Sequence, residues 1–186
     1  ARWACEASDW QLCINTSDRT RDAVDLSTRY PMPFSAEILE ASAAQSLDPA
    51  FVFGLIRQET RFMARLRSHA GASGLMQLMP ATARWVAGKT GAELRPQQPE
   101  QLFEPEMNLR LGTAYLRMVL DDFSGSLPLA AAAYNAGPGR PRRWREGPML
   151  EPAAWAENVP FLETRDYVKK VLANSVVYAA MLRAPS

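Results

Sequence analysis

The sequence predicts an all-α protein, and three observations carry that prediction. β-Branched residues do not alternate with polar residues over any useful length, so strand signals are scarce. Several apolar-periodic stretches begin at a proline, which suits the first turn of a helix. Short turns rich in glycine and proline separate these stretches, at 71–74, 137–139 and 147–148.

Residues 1–33 are predicted to be a helical linker or the end of a larger α-helical region, set apart from residues 34–186 by two prolines. They either pack on a partner region or form an ordinary N-terminal helix pair. Cys5 and Cys13 would lie about 12 Å apart on one straight helix, so a disulfide would require a turn between them. A local disulfide and two small buried residues both stay open.

The first helix of the main region is predicted to begin at Asp48–Pro49, an N-cap residue followed by proline. Its apolar residues fall within one arc of roughly 140°. They are Phe51, Val52, Leu55, Ile56, Phe62 and Met63. Glu59 lies inside that arc, whereas Arg57, Thr60 and Arg61 fall on the opposite face. A carboxylate on such a stripe is paired with an arginine, neutralised or used, because burying it unpaired costs several kcal/mol or raises its pKa.

The proline starts predict further helices over 80–88, 105–123 and 128–134, and a short one from Pro152. The last helix is predicted over 165–182, with an apolar stripe that includes Val176.

The composition is 47% hydrophobic and 22% charged with a net charge of +1, so nothing global points to nucleic acid or a membrane surface. No apolar run could span a bilayer, and we expect any export signal to lie outside this sequence.

The stretch SHAGASGLMQLMP, residues 68–80, combines glycines with a single amide among apolar residues. Gly71 and Gly74 would let the backbone turn or approach a ligand closely. The methionines are either core filler or the floor of a binding site. Gln77 is therefore the candidate polar contact of this stretch.

Polar residues also stand at two helix ends. Tyr134 and Asn135 follow an alanine-rich run, and they either cap that helix or point into a cleft. Glu163 and Thr164 start the last helix, where capping is the ordinary role of such side chains. Residues 140–147, RPRRWREG, are a weak nucleic-acid signal in a nearly neutral chain, and a solvated face or one that attracts an acidic polymer is expected instead.

The titratable residues limit the chemistry. His69 is the single histidine, so the chain offers no His/Cys metal cluster and no serine protease triad. We expect neither a metal nor a cofactor, and acid-base chemistry falls mainly to carboxylates and tyrosines. Between Glu59 and Glu93 there is no Asp or Glu, so the chain offers Glu59 no second carboxylate close in sequence. Glu163 could still approach through the fold.

Four motifs stand in the order seen in the soluble lytic transglycosylases. They are ETRF at 59–62, GLMQLMP at 74–80, AYNAG at 133–137 and PFLETRDYV at 160–168. From about Phe34 to its C-terminus the chain resembles the catalytic domain of that family, and residues 1–33 resemble the helical linker that precedes it. One departure is Thr60, where the family usually has serine, although threonine keeps the hydroxyl.

The resemblance implies a lysozyme-like fold, with room for a minor β element, and Glu59 as the catalytic acid and base. It also implies that seven residues line the glycan cleft. They are Ser68, Met76, Gln77, Tyr134, Asn135, Glu163 and Tyr167. The implied partners are peptidoglycan glycan strands and a larger helical domain of the same protein, with no nucleic acid. A periplasmic or cell-envelope location is expected, where a disulfide is permitted.

The implied reaction cleaves the β-1,4 bond between N-acetylmuramic acid and N-acetylglucosamine and forms a 1,6-anhydro end. A carboxyl group held against apolar residues is desolvated, which favours the protonated form that a proton donor needs. A hydrolase resembling goose-type lysozyme and a catalytically silent wall-binding module are the alternatives. The buried position expected for Glu59 argues against the silent module, because a binding module needs no buried acid.

Overall fold

The computed structural model describes residues 1–21, 24–95, 97–144 and 152–184, and these residues form helices joined by turns. The helices are α1 (Arg2–Glu6), α2 (Trp10–Asp18), α3 (Leu26–Arg29), α4 (Ser35–Ala44), α5 (Pro49–Thr60), α6 (Pro80–Thr90), α7 (Pro105–Asp122), α8 (Leu127–Ala136), α9 (Gly139–Trp144), α10 (Pro152–Glu157) and α11 (Leu162–Arg183), with a 3-10 helix (Pro99–Phe103) before α7. The prediction of an all-α fold is confirmed.

Helices that begin at a proline lie close to their predicted positions, as α6 and α7 show. Helices α4 and α9 are not predicted from the sequence. Helix α4 has no proline start, and α9 begins inside a Gly-Pro-Gly stretch that signals a turn. The turn expected at 147–148 lies outside the described residues.

The chain forms two compact units, each built from two separate segments. Unit 1 consists of Ala1–Ala41 and Glu59–Gly112, and unit 2 of Ser42–Gln58 and Thr113–Ser186. The boundaries fall inside helices α5 and α7. The division of the chain between a linker of residues 1–33 and a catalytic domain stays a prediction.

In unit 1, a disulfide joins Cys5 on α1 to Cys13 on α2, with their Cα atoms 5.1 Å apart. The chain reverses between the two helices at Ser8, which has a left-handed φ of 58°. This turn brings together cysteines that a straight helix would hold apart. Of the two possibilities that the sequence leaves open, the structure contains the disulfide.

The minor β element lies in unit 1, between α5 and α6. Ser73 forms isolated antiparallel bridges with both Arg67 and Leu78. The backbone N–H of Ser73 donates to the carbonyl of Leu78 at 2.9 Å, and the N–H of Leu78 donates back to the carbonyl of Ser73 at 3.0 Å. We call residues 66–79 the methionine loop. Its paired backbone makes it an ordered structure despite the absence of regular strands among its residues.

In unit 2, α11 packs against α8 and closely approaches α5. A Cβ atom placed on Gly54 would lie 2.6 Å from Oγ of Ser175, so only glycine fits there. The predicted stripe on α11 is wrong at Val176, which is 71% exposed. The buried residues of α11 are Thr164, Tyr167, Val168, Val171, Asn174 and Tyr178. The buried face includes two polar residues, which a purely apolar pattern does not find.

The predicted polar face of α5 is also wrong. Arg57 is only 8% exposed, and its guanidinium donates to Oδ1 of Asn174 at 3.3 Å. The amide of Asn174 in turn donates to the carbonyl of Gly54 at 3.3 Å. Arg57 can be buried because a side-chain amide on α11 accepts its hydrogen bond.

Among the described helices, none is both long and apolar enough to cross a membrane.

Candidate active site

Glu59 occupies the last turn of α5, one residue before the helix ends. Its side chain is half-buried, whereas Leu55 and Ile56 in the preceding turn are fully buried. The helix therefore presents one carboxyl group at the edge of an apolar interior. The structure leaves Glu59 half-buried, whereas Arg57 and Thr60 on the face predicted to be polar are buried. The catalytic role of Glu59 stays a prediction.

The backbone leaves α5 through two successive left-handed residues. Arg61 and Phe62 have φ values of 48° and 64°. A non-glycine residue in this conformation costs on the order of 1 kcal/mol, and such residues cluster at functional sites. The turn sends the side chain of Phe62 into the core, where it is 1% exposed. Burial of this aromatic ring helps to offset the strain and fixes the end of the helix beside Glu59.

Thr60 connects the end of α5 to the methionine loop. Its hydroxyl donates to the backbone carbonyl of Leu75 at 2.9 Å, and the residue is 3% exposed. The sequence places this residue on a polar face, but the structure buries it and satisfies its hydroxyl. Because serine carries the same hydroxyl, the departure from the family pattern at this position preserves the hydrogen bond.

Gln77 braces the methionine loop from within. Its side-chain amide donates to the carbonyl of Leu66 at 3.1 Å and to the carbonyl of Gly74 at 2.9 Å. Gln77 itself has a left-handed φ of 48°. The side-chain N–H groups of Gln77 are therefore engaged by the loop. The side-chain carbonyl oxygen is the part suited to accept a hydrogen bond from a ligand.

Ser68 is half-buried, and its hydroxyl oxygen accepts from the N–H of Ala72 at 3.1 Å.

Met76 has no exposed surface, so the structure buries its side chain. A Cβ atom on Gly112 of α7 would lie 2.4 Å from the Met76 sulfur, which shows how closely the side chain packs on that helix. Of the two roles open to the methionines, Met76 fills the core. A direct contact of its side chain with glycan stays a prediction.

Asn108 holds the methionine loop from α7, and sequence reasoning missed it. Its Oδ1 accepts from the N–H of Met76 at 2.8 Å, and its amide donates to the carbonyls of Ser73 at 2.9 Å and Leu102 at 2.7 Å. Asn108 is fully buried, so these bonds satisfy an otherwise costly amide. A Cβ atom on Gly74 would lie 2.1 Å from this amide. The only sequence signal for Asn108 is a polar residue among the buried positions of α7.

The predicted residues at the end of α8 and the start of α11 lie together in unit 2. Thr164 donates its hydroxyl to Oδ1 of Asn135 at 3.0 Å. Tyr134 is half-buried, and its ring centroid lies 5.3 Å from that of Tyr115. Burial raises the pKa of Tyr115, and the nearby charge of Asp122 adds to this shift.

Glu163 is exposed in the first turn of α11, whereas Tyr167, one turn later, is 6% exposed. A surface pocket of about 370 Å³ lies along the first two turns of this helix. Its lining residues are Leu162, Glu163, Arg165, Asp166 and Lys169. A hydrogen bond from Lys170 lowers the pKa of Asp166. The pocket therefore carries charges of both signs, with Glu163 among them.

The arginine-rich stretch is only partly available to an acidic polymer. Arg142 forms a salt bridge with Asp122 at 2.8 Å, and the guanidinium of Arg140 lies 4.8 Å from the centroid of the Phe161 ring. Arg145 lies outside the described residues. Within the described ranges, no group of three or more His, Cys, Asp or Glu side chains could hold a metal ion.

Comparisons with known proteins agree on one family. The family model described as "Transglycosylase SLT domain" matches residues 37–153, and that of the "Soluble lytic transglycosylase helical domain" matches residues 158–186. The soluble lytic murein transglycosylase of Salmonella typhimurium is 35% identical over 96% of this chain. The transglycosylase of Enterobacteria phage PRD1 is 40% identical over 52% of this chain and 32% of its own. This chain spans 28% of the length of the Salmonella protein.

Two solved structures extend this likeness to the fold. An inactive glutamate-to-glutamine mutant of the lytic transglycosylase Slt from Pseudomonas aeruginosa matches all of this chain, with a TM-score of 0.91 and 40% identity, over 30% of its own length. The 70-kDa soluble lytic transglycosylase of Escherichia coli matches 98% of this chain, with a TM-score of 0.89 and 32% identity, also over 30% of its length.

Proposed function

Because this chain belongs to the transglycosylase SLT domain family, we propose that it cleaves the glycan strands of peptidoglycan as a lytic transglycosylase. The chain spans less than a third of the similar Salmonella protein, so the proposal concerns the reaction of this part. The observation that carries it is the position of Glu59, half-buried at the end of a buried helix and next to a braced loop. The solved structure of a similar protein, described as an inactive glutamate-to-glutamine mutant, supports the need for one glutamate.

In the proposed reaction, Glu59 donates its proton to the oxygen of the β-1,4 bond between N-acetylmuramic acid and N-acetylglucosamine. The bond between C1 of the muramic sugar and that oxygen then breaks. The positive charge that develops at C1 needs a nucleophile, and the chain has no Asp or Glu between Glu59 and Glu93 to supply one nearby in sequence. The carbonyl oxygen of the substrate's own N-acetyl group takes that part.

Glu59, now a carboxylate, removes the proton from the C6 hydroxyl of the same sugar. The C6 oxygen attacks C1, closes the 1,6-anhydro ring and releases the N-acetyl oxygen, and Glu59 is protonated again. Water competes poorly with a tethered hydroxyl, since well-oriented intramolecular reactions reach effective molarities on the order of 10⁵ M. One acid that then acts as base is therefore sufficient for the whole reaction.

Digestion of purified sacculi in ¹⁸O-labelled water tests this reaction. We expect anhydro-muropeptides without the label as the main products in a mass spectrum. Labelled reducing ends as the main products would show the hydrolase resembling goose-type lysozyme instead. Binding without any release of muropeptides would show the silent wall-binding module.

The substrate also bears on location. Peptidoglycan lies outside the cytoplasmic membrane, and a disulfide joins Cys5 and Cys13. Disulfides persist in oxidising compartments such as the bacterial periplasm. We therefore propose a periplasmic or cell-envelope location, and fractionation of cells with an antibody against the chain would test it.

A further inference from the structure

Arg65, just before the methionine loop, and Arg67, within it, share one aromatic ring. The guanidinium carbon of Arg65 lies 5.7 Å from the centroid of the Phe103 ring, and that of Arg67 lies 5.4 Å from the same centroid. All three residues belong to unit 1. We call Arg65 and Arg67 the arginine pair. At these distances each cation interacts with the ring, which holds two like charges in one small area.

The arginine pair has no acidic partner in the part of the chain that the structure describes. Both side chains are exposed, and neither forms a salt bridge there. Arg67 uses only Nε, which donates to Oγ of Ser73 at 3.4 Å. The outer nitrogens of both guanidiniums therefore stay open to solvent. A guanidinium presents its donors as a planar fork that matches a carboxylate.

The backbone beneath the pair is fixed. The carbonyl of Leu66, between the two arginines, accepts from the N–H of Gly74 at 3.0 Å and from the Gln77 side chain at 3.1 Å. Phe103 is held through its neighbour Leu102, which is 3% exposed and whose carbonyl accepts from Asn108 at 2.7 Å. The two cations are therefore anchored before a ligand arrives, which reduces the entropy cost of binding.

From this arrangement we infer that Arg65 and Arg67 bind the carboxylates of the stem peptide that a peptidoglycan strand carries. The inference rests on the proposed function, because it names a second part of the same substrate. The pair directly precedes Ser68, one of the residues that the family resemblance assigns to the glycan site. Stem peptides carry more than one carboxylate, and two adjacent guanidiniums can each donate hydrogen bonds to one of them. A net charge of +1 offers no comparable attraction for nucleic acid.

Calorimetric titration with muropeptide tetrasaccharides tests the inference. All proteins carry Glu59→Gln, so that the ligand is not consumed. The test variant is Arg65→Met/Arg67→Met, because methionine keeps an apolar side chain over Phe103. The matched control is Arg84→Met/Lys89→Met, which removes two exposed cations from α6 of the same unit. Each protein is titrated with the peptide-bearing ligand and with the same glycan after an amidase has removed the peptides.

We expect the test variant to bind the peptide-bearing ligand about fivefold to tenfold more weakly, as the loss of two exposed ion pairs predicts. Its affinity for the stripped glycan should change less than twofold, and the control should change little with either ligand. The difference should shrink in high salt. An Arg65→Lys/Arg67→Lys variant, which keeps the charge, should retain most of the affinity.

Three outcomes would overturn the inference. They are an unchanged affinity of the test variant for the peptide-bearing ligand, an equal loss in the control, and an equal loss with the stripped glycan. The last would point to the lactyl carboxylate that the amidase exposes. Failure of the proposed function is seen separately, because it appears as absent anhydro products when the chain with Glu59 intact digests sacculi.

Discussion

At the residue scale, Glu59 is the first test of the proposed chemistry. We expect Glu59→Gln to reduce the release of muropeptides at least about 10²-fold, because an amide cannot donate and recover the proton of a general acid. The amide has the same shape as the acid, so the circular dichroism spectrum should not change. Equal activity in the variant would refute the assignment, and a lost helical signal would assign Glu59 a structural role instead.

Thr60 offers a matched pair of substitutions beside that acid. Thr60→Val keeps the shape but removes the hydroxyl that donates to the carbonyl of Leu75, so a buried acceptor loses a partner. We expect a loss of about 1–3 kcal/mol in the free energy of unfolding together with reduced activity. Thr60→Ser keeps the hydroxyl and should behave nearly as the parent in urea denaturation. Similar losses in both variants would show that the methyl group contributes as much as the hydrogen bond.

Tyr115 links burial to alkaline stability. Burial raises its pKa above the ordinary value of 10.0, and the charge of Asp122 adds to this shift. The folded state therefore holds this proton more tightly than the unfolded state, and that contribution is full below pH 10 and is lost as pH rises through the folded pKa. We expect Tyr115→Phe to reduce the fall in melting temperature between pH 9 and about pH 11. An unchanged fall would mean that other groups dominate.

Single residues also show how far sequence reasoning reaches. The helical period singles out Glu59 as the one carboxylate among apolar residues, and the structure leaves it half-buried. Arg57, Asn108 and Asn174 could not be assigned in this way. Each is a polar residue buried by a hydrogen bond to a distant part of the chain, and sequence spacing contains no signal for such a partner.

At the element scale, the contact between α7 and the methionine loop depends on Asn108. Removal of its amide in Asn108→Ala breaks three hydrogen bonds. The carbonyl of Leu102 loses its Asn108 donor, whereas that of Ser73 keeps the N–H of Leu78. We expect a loss of about 3 kcal/mol or more in the free energy of unfolding. The control is Asn158→Ala, an exposed asparagine, which should cost less than about 0.5 kcal/mol. Equal losses in urea denaturation would contradict this role of Asn108.

Helices and bridges could be predicted from the sequence only where a residue type marks their start or end. Proline marks the starts of α5, α6 and α7, because it suits the first helical turn. Helix α5 ends at Thr60, although the predicted apolar arc continues to Met63. The left-handed backbone of Arg61 and Phe62 ends the helix, and no glycine encodes it. The β-bridges of the methionine loop were foreseen only as a minor element, since residues that pair across so tight a loop show no alternation.

At the scale of the whole molecule, the disulfide should decide how firmly the N-terminal helices are held. It joins cysteines eight positions apart, and closing so short a loop stabilises by about 2.5 kcal/mol in the chain-entropy account. We expect dithiothreitol to speed proteolysis within residues 1–20. A Cys5→Ser/Cys13→Ser variant should be cut as fast without the reductant. Equal rates of cleavage for the oxidised parent and this variant would show that other contacts hold these helices.

The two units have a consequence for how the chain is made. Both segments of unit 1 have been synthesised by residue 112, whereas residues 42–58 of unit 2 wait for residues 113–186. Gly54 and Arg57, for example, form their hydrogen bonds with Asn174 only near the end of synthesis. The aromatic side chains of α5 in that segment therefore stay without their final neighbours through much of translation. Nascent chains stalled shortly after residue 112 should bind chaperones more strongly than the released chain.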